Sequence, residues 1–364
     1  KIECIVAQHP WLENDVLTAD VILPTSTTLE VDDIMLNLRD GDSFQTVILM
    51  RKAIEPVGEA RSDYQAVCAV AEKLGMLEAV TDGFSEEELI KAVYTGMQFD
   101  KIVSWEEFEE KEYFVVPYEK DWQKHTAGWY DFYKDPVKNP LPTPTGKLEF
   151  WSESLQTAFP NDEERPGVPK WIEKGITHDE RISSYRANAF PLLVMSNHGR
   201  WRVHAQCDDI PWTKETVTGK IRGWDGYWYE PCWMNPKDAE ARGIKDGDLV
   251  RVYNERGSVL CGALVWERIM PGCISVDHGA RADFIIPGKL DRGGAINAIA
   301  PQGLTSKHAA GQATSGYLAD VERVTMAQME EWRTQFPEAF AREYDPASGL
   351  RFNGWITEGK IWET

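Results

Sequence analysis

A series of short apolar segments separated by turn signals, over residues 190–325, is the feature that most constrains the fold of this chain. The apolar segments are residues 191–195, 249–253, 259–266 and 273–276. The intervening sequences KDGD, ERG and PG are typical of tight turns between strands. Many short strands joined by such turns favour a closed barrel, which has no exposed sheet edges. One short helix is predicted within this region, over residues 236–242.

Residues 1–84 have a pattern that predicts α/β structure. The predicted strands are residues 2–7, 19–23 and 46–50. Residues 63–74 carry apolar side chains at helical spacing, with Ser62 in position to cap the helix N-terminus. The sequence therefore predicts two different folds, α/β first and β later in the chain.

Residues 85–185 are interpreted as a surface excursion or linker, because Pro, Lys and aromatic residues follow one another without a regular period. A helix is predicted to begin at Ser85, and the acidic run 106–112 is interpreted as the solvated face of a helix. Residues 326–364 predict a C-terminal amphipathic helix followed by a tail. The predicted domains are thus residues 1–84, 85–185, 186–325 and 326–364.

The charge balance excludes some classes of function. The chain has 39 Lys and Arg against 59 Asp and Glu, a formal charge of −20, which argues against a protein that binds nucleic-acid phosphates. No run approaches the roughly 20 apolar residues of a transmembrane helix. The sequence has no initiator Met and no signal-peptide pattern, so we interpret it as part of a longer protein. We expect a cytoplasmic location, with the periplasm as the alternative.

Cysteine and histidine spacing predicts no metal ligand in this chain. No two of the six Cys have CxxC spacing, which argues against zinc-ribbon and cysteine-ligated iron–sulfur motifs. The seven His form no HxxxH or HExxH pattern.

Polar and glycine-rich loops mark the β region as a ligand-binding domain. Residues 196–206 contain two His, two Arg, an Asn and a Gln directly after a predicted strand. Further such loops are residues 277–281, 293–297, 305–307 and 311–312. Neither a P-loop nor a GxGxxG fingerprint is present. Together these loops predict a large polar ligand that carries phosphates. The aromatic run 224–233 could line a substrate funnel, but packing is the favoured interpretation.

Several motifs, in order along the chain, carry a family resemblance. They are TADVILPTSTTLEVDDI (18–34), GEARSDY (58–64), TPTGKLEFWSESL (143–155), HGRWRVHAQ (198–206), NPKDAEARGIKDGD (235–248), MPGCISVDHGA (270–280) and GGAINAIAPQGLTSKHAAGQ (293–312). With them the chain resembles the C-terminal half of the dimethyl sulfoxide reductase family of molybdenum and tungsten oxidoreductases. Single motifs are moderately specific, and their shared order is much more so.

The resemblance implies a fold, a cofactor and a set of contacts. Residues 1–84 would end a Rossmann-like α/β domain, and residues 186–325 would form a double-psi β-barrel that binds molybdopterin dinucleotides. The implied cofactor is molybdenum or tungsten bis-molybdopterin guanine dinucleotide. The cofactor-binding residues it implies are Gln8, His9, Asp32, Asp63, Ser196, Asn197, His198, Arg202, His204, Gln206, His278, Asn297 and Gln312.

Two of these positions, Asp63 and His9, can be compared with the family pattern individually. Asp63 falls where the family places a carboxylate on guanine, and a carboxylate can accept two hydrogen bonds from the guanine edge. His9 departs from the Asp of many relatives. We nominate no catalytic residue, because the family's metal ligand and acid/base groups lie mainly in an N-terminal half that is not in this sequence.

The segments GWDGYWYEP (223–231) and FAREYDPASGLRFNGW (340–355) are similar to a transhydroxylase branch of the family. This branch converts pyrogallol to phloroglucinol and works with an iron–sulfur small subunit. The implied partners are that subunit, the N-terminal half and a small aromatic substrate. One alternative is a respiratory-type enzyme of the same family, an S- or N-oxide reductase or an aromatic-compound dehydrogenase. Another is a cofactor-free module that uses its aromatic surface as an interface.

Overall fold

The computed structural model divides into two compact units between Glu149 and Phe150, and each is described by itself. The residues it describes are 2–10, 16–38, 44–118, 120–121, 124, 128–171, 178–208, 210–304, 306–308, 311 and 315–341.

The first unit begins with two parallel strands followed by a helix. Strands β1 (Val6–His9) and β2 (Val21–Pro24) pair in parallel, with Gln8 opposite Leu23. Helix α1 (Asp63–Lys73) is capped by Ser62, whose hydroxyl accepts a hydrogen bond from the Gln65 amide at 3.1 Å. The predicted cap is therefore confirmed. The first strand lies a few residues later than its apolar run indicated.

An antiparallel sheet and three helices complete the ordered elements up to residue 115. The strands are β3 (Asp33–Asn37), β4 (Thr46–Met50) and β5 (Tyr113–Val115), and the helices are α2 (Leu77–Thr81), α3 (Glu86–Gly96) and α4 (Trp105–Lys111). Ser85 caps α3 in a capping box, as its position predicted. The acidic side of α4 is exposed, as predicted, while Phe108 is fully buried and stacks on Tyr94 with ring centroids 4.6 Å apart. These aromatic rings form the core of this sheet and its helices.

The remaining helices are short. They are α5 (Tyr130–Lys134) in the first unit and, in the second, α6 (Glu153–Ala158), α7 (Pro211–Lys214), α8 (Pro236–Glu240), α9 (Met326–Gln335) and α10 (Pro337–Phe340). Thr325 caps α9 in a second capping box. Among the described residues, every helix is too short or too polar to cross a membrane.

Nine strands make up the sheet of the second unit. They are β6 (Leu192–Met195), β7 (Ile221–Arg222), β8 (Trp228–Met234), β9 (Leu249–Tyr253), β10 (Ser258–Val265), β11 (Cys273–Ser275), β12 (Phe284–Ile286), β13 (Leu290–Asp291) and β14 (Tyr317–Arg323). Six of them close into a ring in the order β10, β9, β14, β6, β11 and β8, because β8 also pairs with β10.

The ring has the topology of a double-psi barrel. Strands β6 and β11 are parallel, as are β8 and β10, and the other four neighbouring pairs are antiparallel. Fully buried apolar side chains such as Val194, Met234 and Ile274 fill the interior. Burying each contributes about 1.5–3 kcal/mol relative to solvent exposure. The fold prediction, α/β followed by a double-psi barrel, is confirmed. The predicted domain boundaries stay predictions.

Candidate functional site

Two loops that follow parallel strands bring three histidines together. The loop after β6 carries His198 and His204, and the loop after β11 carries His278. Because β6 and β11 are parallel neighbours, both loops leave the barrel at the same edge. The His278 amide donates a hydrogen bond to the Asn197 carbonyl at 3.0 Å, which joins the loops.

The three imidazoles form a compact cluster. The Nδ1 atom of His204 lies 3.1 Å from the Nε2 atom of His278. One ring nitrogen from each histidine lies within 4.8 Å of those of the other two. His198 and His204 are exposed and His278 is half-buried, so the cluster is open to ligands. Motif spacing missed this arrangement, because residues 198 and 278 meet only through the pairing of β6 with β11.

The backbone holds the two loops in close contact. Gly279 has φ +93°, and a Cβ atom there would lie 1.8 Å from the His204 carbonyl oxygen. Val203 and Gln206 exchange backbone hydrogen bonds of 3.1 and 2.9 Å, so His204 lies in a tight turn. His204 itself has φ +54°, a conformation uncommon for a residue with a side chain. The cluster thus depends on a glycine and on a strained histidine backbone.

Arg202 supports this cluster from the protein interior. Its side chain is only 6% exposed, and Nη1 and Nη2 donate to the Glu230 carboxylate at 3.0 and 2.8 Å. Nη1 also reaches Asp208 at 3.4 Å, and Nη2 and Nε donate to the carbonyls of Asp277 and His278 at 2.9 and 3.1 Å. All five guanidinium donors therefore have protein acceptors. Its implied contact with the cofactor stays a prediction.

A buried network of opposite charges surrounds Arg202. Lys220 lies 2.8 Å from Glu230 and 3.3 Å from Asp208, and all of these side chains are buried. The pKa of Asp277 is raised to about 6, mainly by burial and also by the nearby Glu230 carboxylate, against the opposing effect of Arg202. The network joins the two loops to the barrel wall at β8.

The other predicted residues of the second unit differ in their surroundings. The Ser196 hydroxyl is buried without a hydrogen-bond partner among the described residues, whereas the Asn197 amide donates to Ser275 Oγ at 3.1 Å. Gln206 is exposed in the same loop as His204. Asn297 is exposed on a 3-10 turn, and no described hydrogen bond joins it to the histidines. Gln312 lies outside the described residues.

A second polar cluster joins the loop at 306–308 to residues 162–165. Asp162 Oδ2 lies 2.7 Å from Arg165 Nη2 and 2.6 Å from His308 Nε2. Glu164 accepts from the Ser306 hydroxyl at 2.5 Å. The hydrogen bond from Arg165 holds the pKa of Asp162 well below its usual range. Sequence reasoning identified the loop but missed its acidic partners, which lie about 140 residues earlier without a recognisable motif.

In the first unit, Gln8 and Asp63 meet at the carboxyl ends of β1 and β2. Asp63 Oδ1 accepts hydrogen bonds from the Gln8 side-chain amide and from Thr25 Oγ1, the latter at 2.9 Å. Its residue opens α1, so the carboxylate lies at a helix N-terminus. Ligands of open α/β sheets bind at this end of parallel strands. His9 is half-buried next to Gln8 in the same strand.

Asp32 lies in different surroundings from Asp63. Its carboxylate accepts from the Lys52 amide at 2.6 Å and lies 3.5 Å from the Arg51 guanidinium. Asp32 borders an acidic cleft of about 360 Å³, which Ser62 also lines. The described hydrogen bonds and ion pairs do not join Asp32 to Asp63.

Within the aromatic run 224–233, several rings pack against other aromatic side chains. Tyr227 and Tyr229 lie with ring centroids 4.9 Å apart, and the Tyr229 hydroxyl donates to Asp225 Oδ2 at 2.8 Å. Trp233 stacks on Trp266 with centroids 5.4 Å apart. These rings therefore pack together, whereas Trp224 of the same run is 47% exposed, and the funnel stays an alternative.

Two parts of the chain, one in each unit, match models of known protein families. Residues 1–73 match the family described as "Molybdopterin oxidoreductase". Residues 192–315, which contain the barrel ring up to the start of β14 and the histidine cluster, match the "Molydopterin dinucleotide binding domain".

Curated relatives align with most of this chain. The chain is 34% identical to the dimethyl sulfoxide/trimethylamine N-oxide reductase of Cereibacter sphaeroides, over 89% of this chain and 38% of the relative. It is also 34% identical to the pyrogallol hydroxytransferase large subunit of Pelobacter acidigallici, over 88% of this chain and 40% of the relative. The chain thus spans about two fifths of the length of these relatives.

A solved structure supports the fold. The acetylene hydratase of Pelobacter acetylenicus aligns with a TM-score of 0.55 at 17% identity, over 88% of this chain and 40% of that chain. The two family matches agree with the sequence motifs and with the barrel fold. The chain belongs to the molybdopterin oxidoreductase family, and its barrel is the family's dinucleotide-binding domain.

Proposed function

We propose that this chain is the cofactor-binding part of a molybdenum enzyme, with bis-molybdopterin guanine dinucleotide held in part by the loops after β6 and β11. The observation that carries the proposal is the open cluster of His198, His204 and His278 at one edge of the barrel. Loops at one barrel edge are where a rigid scaffold presents binding groups. Tungsten in place of molybdenum is compatible with the same protein contacts.

The donor groups in these loops fit such a cofactor. The buried Ser196 hydroxyl lacks a partner among the described residues, and a buried hydroxyl without one is costly. Imidazole N–H groups and the exposed Gln206 amide can donate to pterin and phosphate oxygens. We assign the cofactor contacts to these side chains, and we assign to Arg202 the support of the His278 backbone.

Asp63 is proposed to recognise guanine in the first unit. Its carboxylate lies at the carboxyl ends of β1 and β2, where Gln8 and Thr25 already donate to one oxygen, Oδ1. The other oxygen has no donor among the described hydrogen bonds, and it can accept from the guanine edge. Gln8 and His9 then lie beside the nucleoside.

The proposed reaction is the conversion of pyrogallol to its isomer phloroglucinol, in which the hydroxyl groups of the ring are rearranged with no net change in oxidation state. The bound cofactor supplies a molybdenum centre for oxygen-atom or hydroxyl transfer. This chain's residues bind and orient that cofactor. The runner-up is reduction of an S- or N-oxide, which the equal identity to a reductase of that kind supports. We further propose that the active protein lies in the cytoplasm, includes the N-terminal half and pairs with an iron–sulfur small subunit.

Cofactor retention in the full-length enzyme tests the binding assignment. Anaerobically purified wild type should release guanine nucleotide and molybdenum, or tungsten, in a fixed ratio after acid hydrolysis. His278→Ala should retain less cofactor, because one donor is lost, whereas the control Lys245→Ala, on an exposed turn of the same unit, should retain the wild-type amount. Wild-type protein with neither metal nor guanine nucleotide would contradict the proposal.

Product analysis separates the two reactions. The same enzyme is incubated with pyrogallol, and the phloroglucinol formed is measured by chromatography. In parallel, reduced viologen is supplied with dimethyl sulfoxide or trimethylamine N-oxide, and its oxidation is followed. Phloroglucinol without viologen oxidation supports the transhydroxylase. The reverse result establishes the oxide reductase.

A further inference from the structure

We propose that the cofactor-free chain binds one divalent transition-metal ion, such as Zn²⁺, through the imidazoles of His198, His204 and His278. One nitrogen of each ring lies within 4.8 Å of the other two.

The closest pair of nitrogens already has the spacing of metal ligands. Zn²⁺ binds imidazole nitrogen at about 2.0–2.1 Å, so two ligands of a tetrahedral ion lie about 3.4 Å apart. His204 Nδ1 and His278 Nε2 are 3.1 Å apart, close to this value. The exposed His198 ring lies next to both, with its centroid 4.3 Å from that of His278 and 4.9 Å from that of His204. Three histidines with an open fourth position are an established type of zinc site.

The supporting contacts orient His278 for this role. Its Nδ1 lies 3.4 Å from the Ser196 carbonyl oxygen, so a proton on Nδ1 leaves the Nε2 lone pair directed at His204 Nδ1. Metal-bound histidines commonly donate their other nitrogen to a backbone carbonyl. The His278 amide is also held by the Asn197 carbonyl at 3.0 Å. Binding therefore requires little reorganisation of this loop.

The charges near the cluster are mostly paired. Arg202 is paired with the carboxylates of Glu230 and Asp208, so its charge is largely compensated, and Arg281 donates to the Ala205 carbonyl at 3.4 Å. The chain as a whole carries a formal charge of −20. All three ligands are nitrogens, which suit Zn²⁺, Cu²⁺ and Ni²⁺, whereas Mg²⁺ and Ca²⁺ prefer oxygen ligands.

Metal and cofactor would use the same histidines, so the two are expected to exclude each other. The metal-bound form then belongs to the protein before cofactor insertion. The experiment below uses cofactor-free chain alone, so its failure would leave the cofactor proposal untouched.

Titration calorimetry on the chelator-treated, cofactor-free 364-residue chain tests the proposal. We expect one equivalent of Zn²⁺ to bind, and no heat of binding with Mg²⁺. The variants His204→Ala and His278→Ala should each bind Zn²⁺ at least about tenfold more weakly, since even residues that only support metal ligands contribute that much. The matched control His308→Ala, whose imidazole pairs with Asp162, should bind as wild type does. Circular dichroism of every variant checks that the fold is intact.

Co²⁺ provides a second readout that depends on the ligands themselves. Bound at this site, it should give the intense visible absorption of four-coordinate cobalt, and this should disappear in His278→Ala. Absence of stoichiometric Zn²⁺ binding by the wild type would overturn the proposal. Equal binding by the wild type and by folded His204→Ala and His278→Ala would also overturn it, because the ion would then lie elsewhere.

Discussion

Arg202 shows how a single buried residue connects the barrel to its ligand-binding loops. Its guanidinium joins two carboxylates on one side to two backbone carbonyls of the His278 loop on the other. A lysine could not replace it, because an ammonium group lacks the planar fork that reaches all four acceptors. A buried ion pair such as that of Arg202 with Glu230 contributes little net stability as a whole. Removing one partner, however, leaves an uncompensated buried charge.

We therefore predict that Arg202→Met lowers the free energy of unfolding by about 3–5 kcal/mol, because Glu230 and Asp208 would lose a buried cation and would keep Lys220 as their partner in the described ion pairs. Denaturant unfolding of the chain measures the change. Arg200→Met is the matched control, since it removes an exposed arginine of the same loop and should cost less than about 0.5 kcal/mol. Equal effects of the two substitutions would show that the network carries no such energy.

Asp277 makes the stability of the folded protein depend on pH. Its pKa in the folded protein, about 6, lies above the ordinary value of 3.8, chiefly because burial penalises the charged form. The folded state then binds more protons than the unfolded state between these values, and stability falls as the pH rises through this interval. At pH 8 the charged carboxylate remains a constant destabilising contribution.

Asp277→Asn should accordingly stabilise the protein at pH 8 by about 1–2 kcal/mol, a figure reduced for partial solvent exposure. At pH 4 the difference from wild type should nearly disappear, because the wild-type carboxyl is then neutral in the fold. Thermal unfolding of both proteins at the two pH values measures this. A difference that is the same at both would contradict the raised pKa.

At the scale of elements, the loops after β6 and β11 are held by the pairing of their strands and by one backbone contact. Gly279 lies where a side chain would collide with the His204 carbonyl. Replacing it has two separable costs, the positive φ angle and the collision. Gly288 also has positive φ, +68°, but a Cβ atom there would meet nothing within 4 Å.

Comparing Gly279→Ala with Gly288→Ala isolates the collision. We expect the Gly288 variant to lose about 1 kcal/mol, the usual cost of a non-glycine residue with positive φ. The Gly279 variant should lose more and should also lose Zn²⁺ binding, because its loop must move away from His204. Calorimetry and denaturant unfolding give the two readouts. Wild-type metal affinity in a folded Gly279→Ala variant would show that the loop contact does not organise the cluster.

The same elements show what sequence could and could not predict. Local signals were sufficient for the caps at Ser62 and Ser85 and for β4, because a cap or a short apolar run is decided by neighbouring residues. Strand β3 was missed, since its DIMLN lacks a clear alternation. The convergence of His204 with His278 was also missed, because it depends on strand pairing across more than seventy residues. The family resemblance supplied the barrel topology that periodicity alone could not.

At the scale of the whole molecule, the two units have separate hydrophobic cores. The core of the sheet formed by β3, β4 and β5 comes from residues within 34–116. Both clusters of the second unit come from residues within 192–340. The parallel pair of β1 and β2 is different, because Val6, Val21 and Ile22 are exposed, and parallel strands are usually covered on both faces. Among the described residues, the strands of the second unit are therefore covered by their own unit more completely than those of the first.

Residues 150–364 produced alone should consequently fold. We expect a cooperative thermal transition and a near-ultraviolet dichroism signal from the stacked Trp233 and Trp266, because the whole barrel ring lies within this segment. Val194→Asp should abolish both, since it places a charge in the fully buried barrel core. The folded segment should also bind Zn²⁺ with the affinity of the whole chain, because all three histidines and Arg202 are present. A segment that shows no cooperative transition would mean that the barrel needs residues 1–149 to fold.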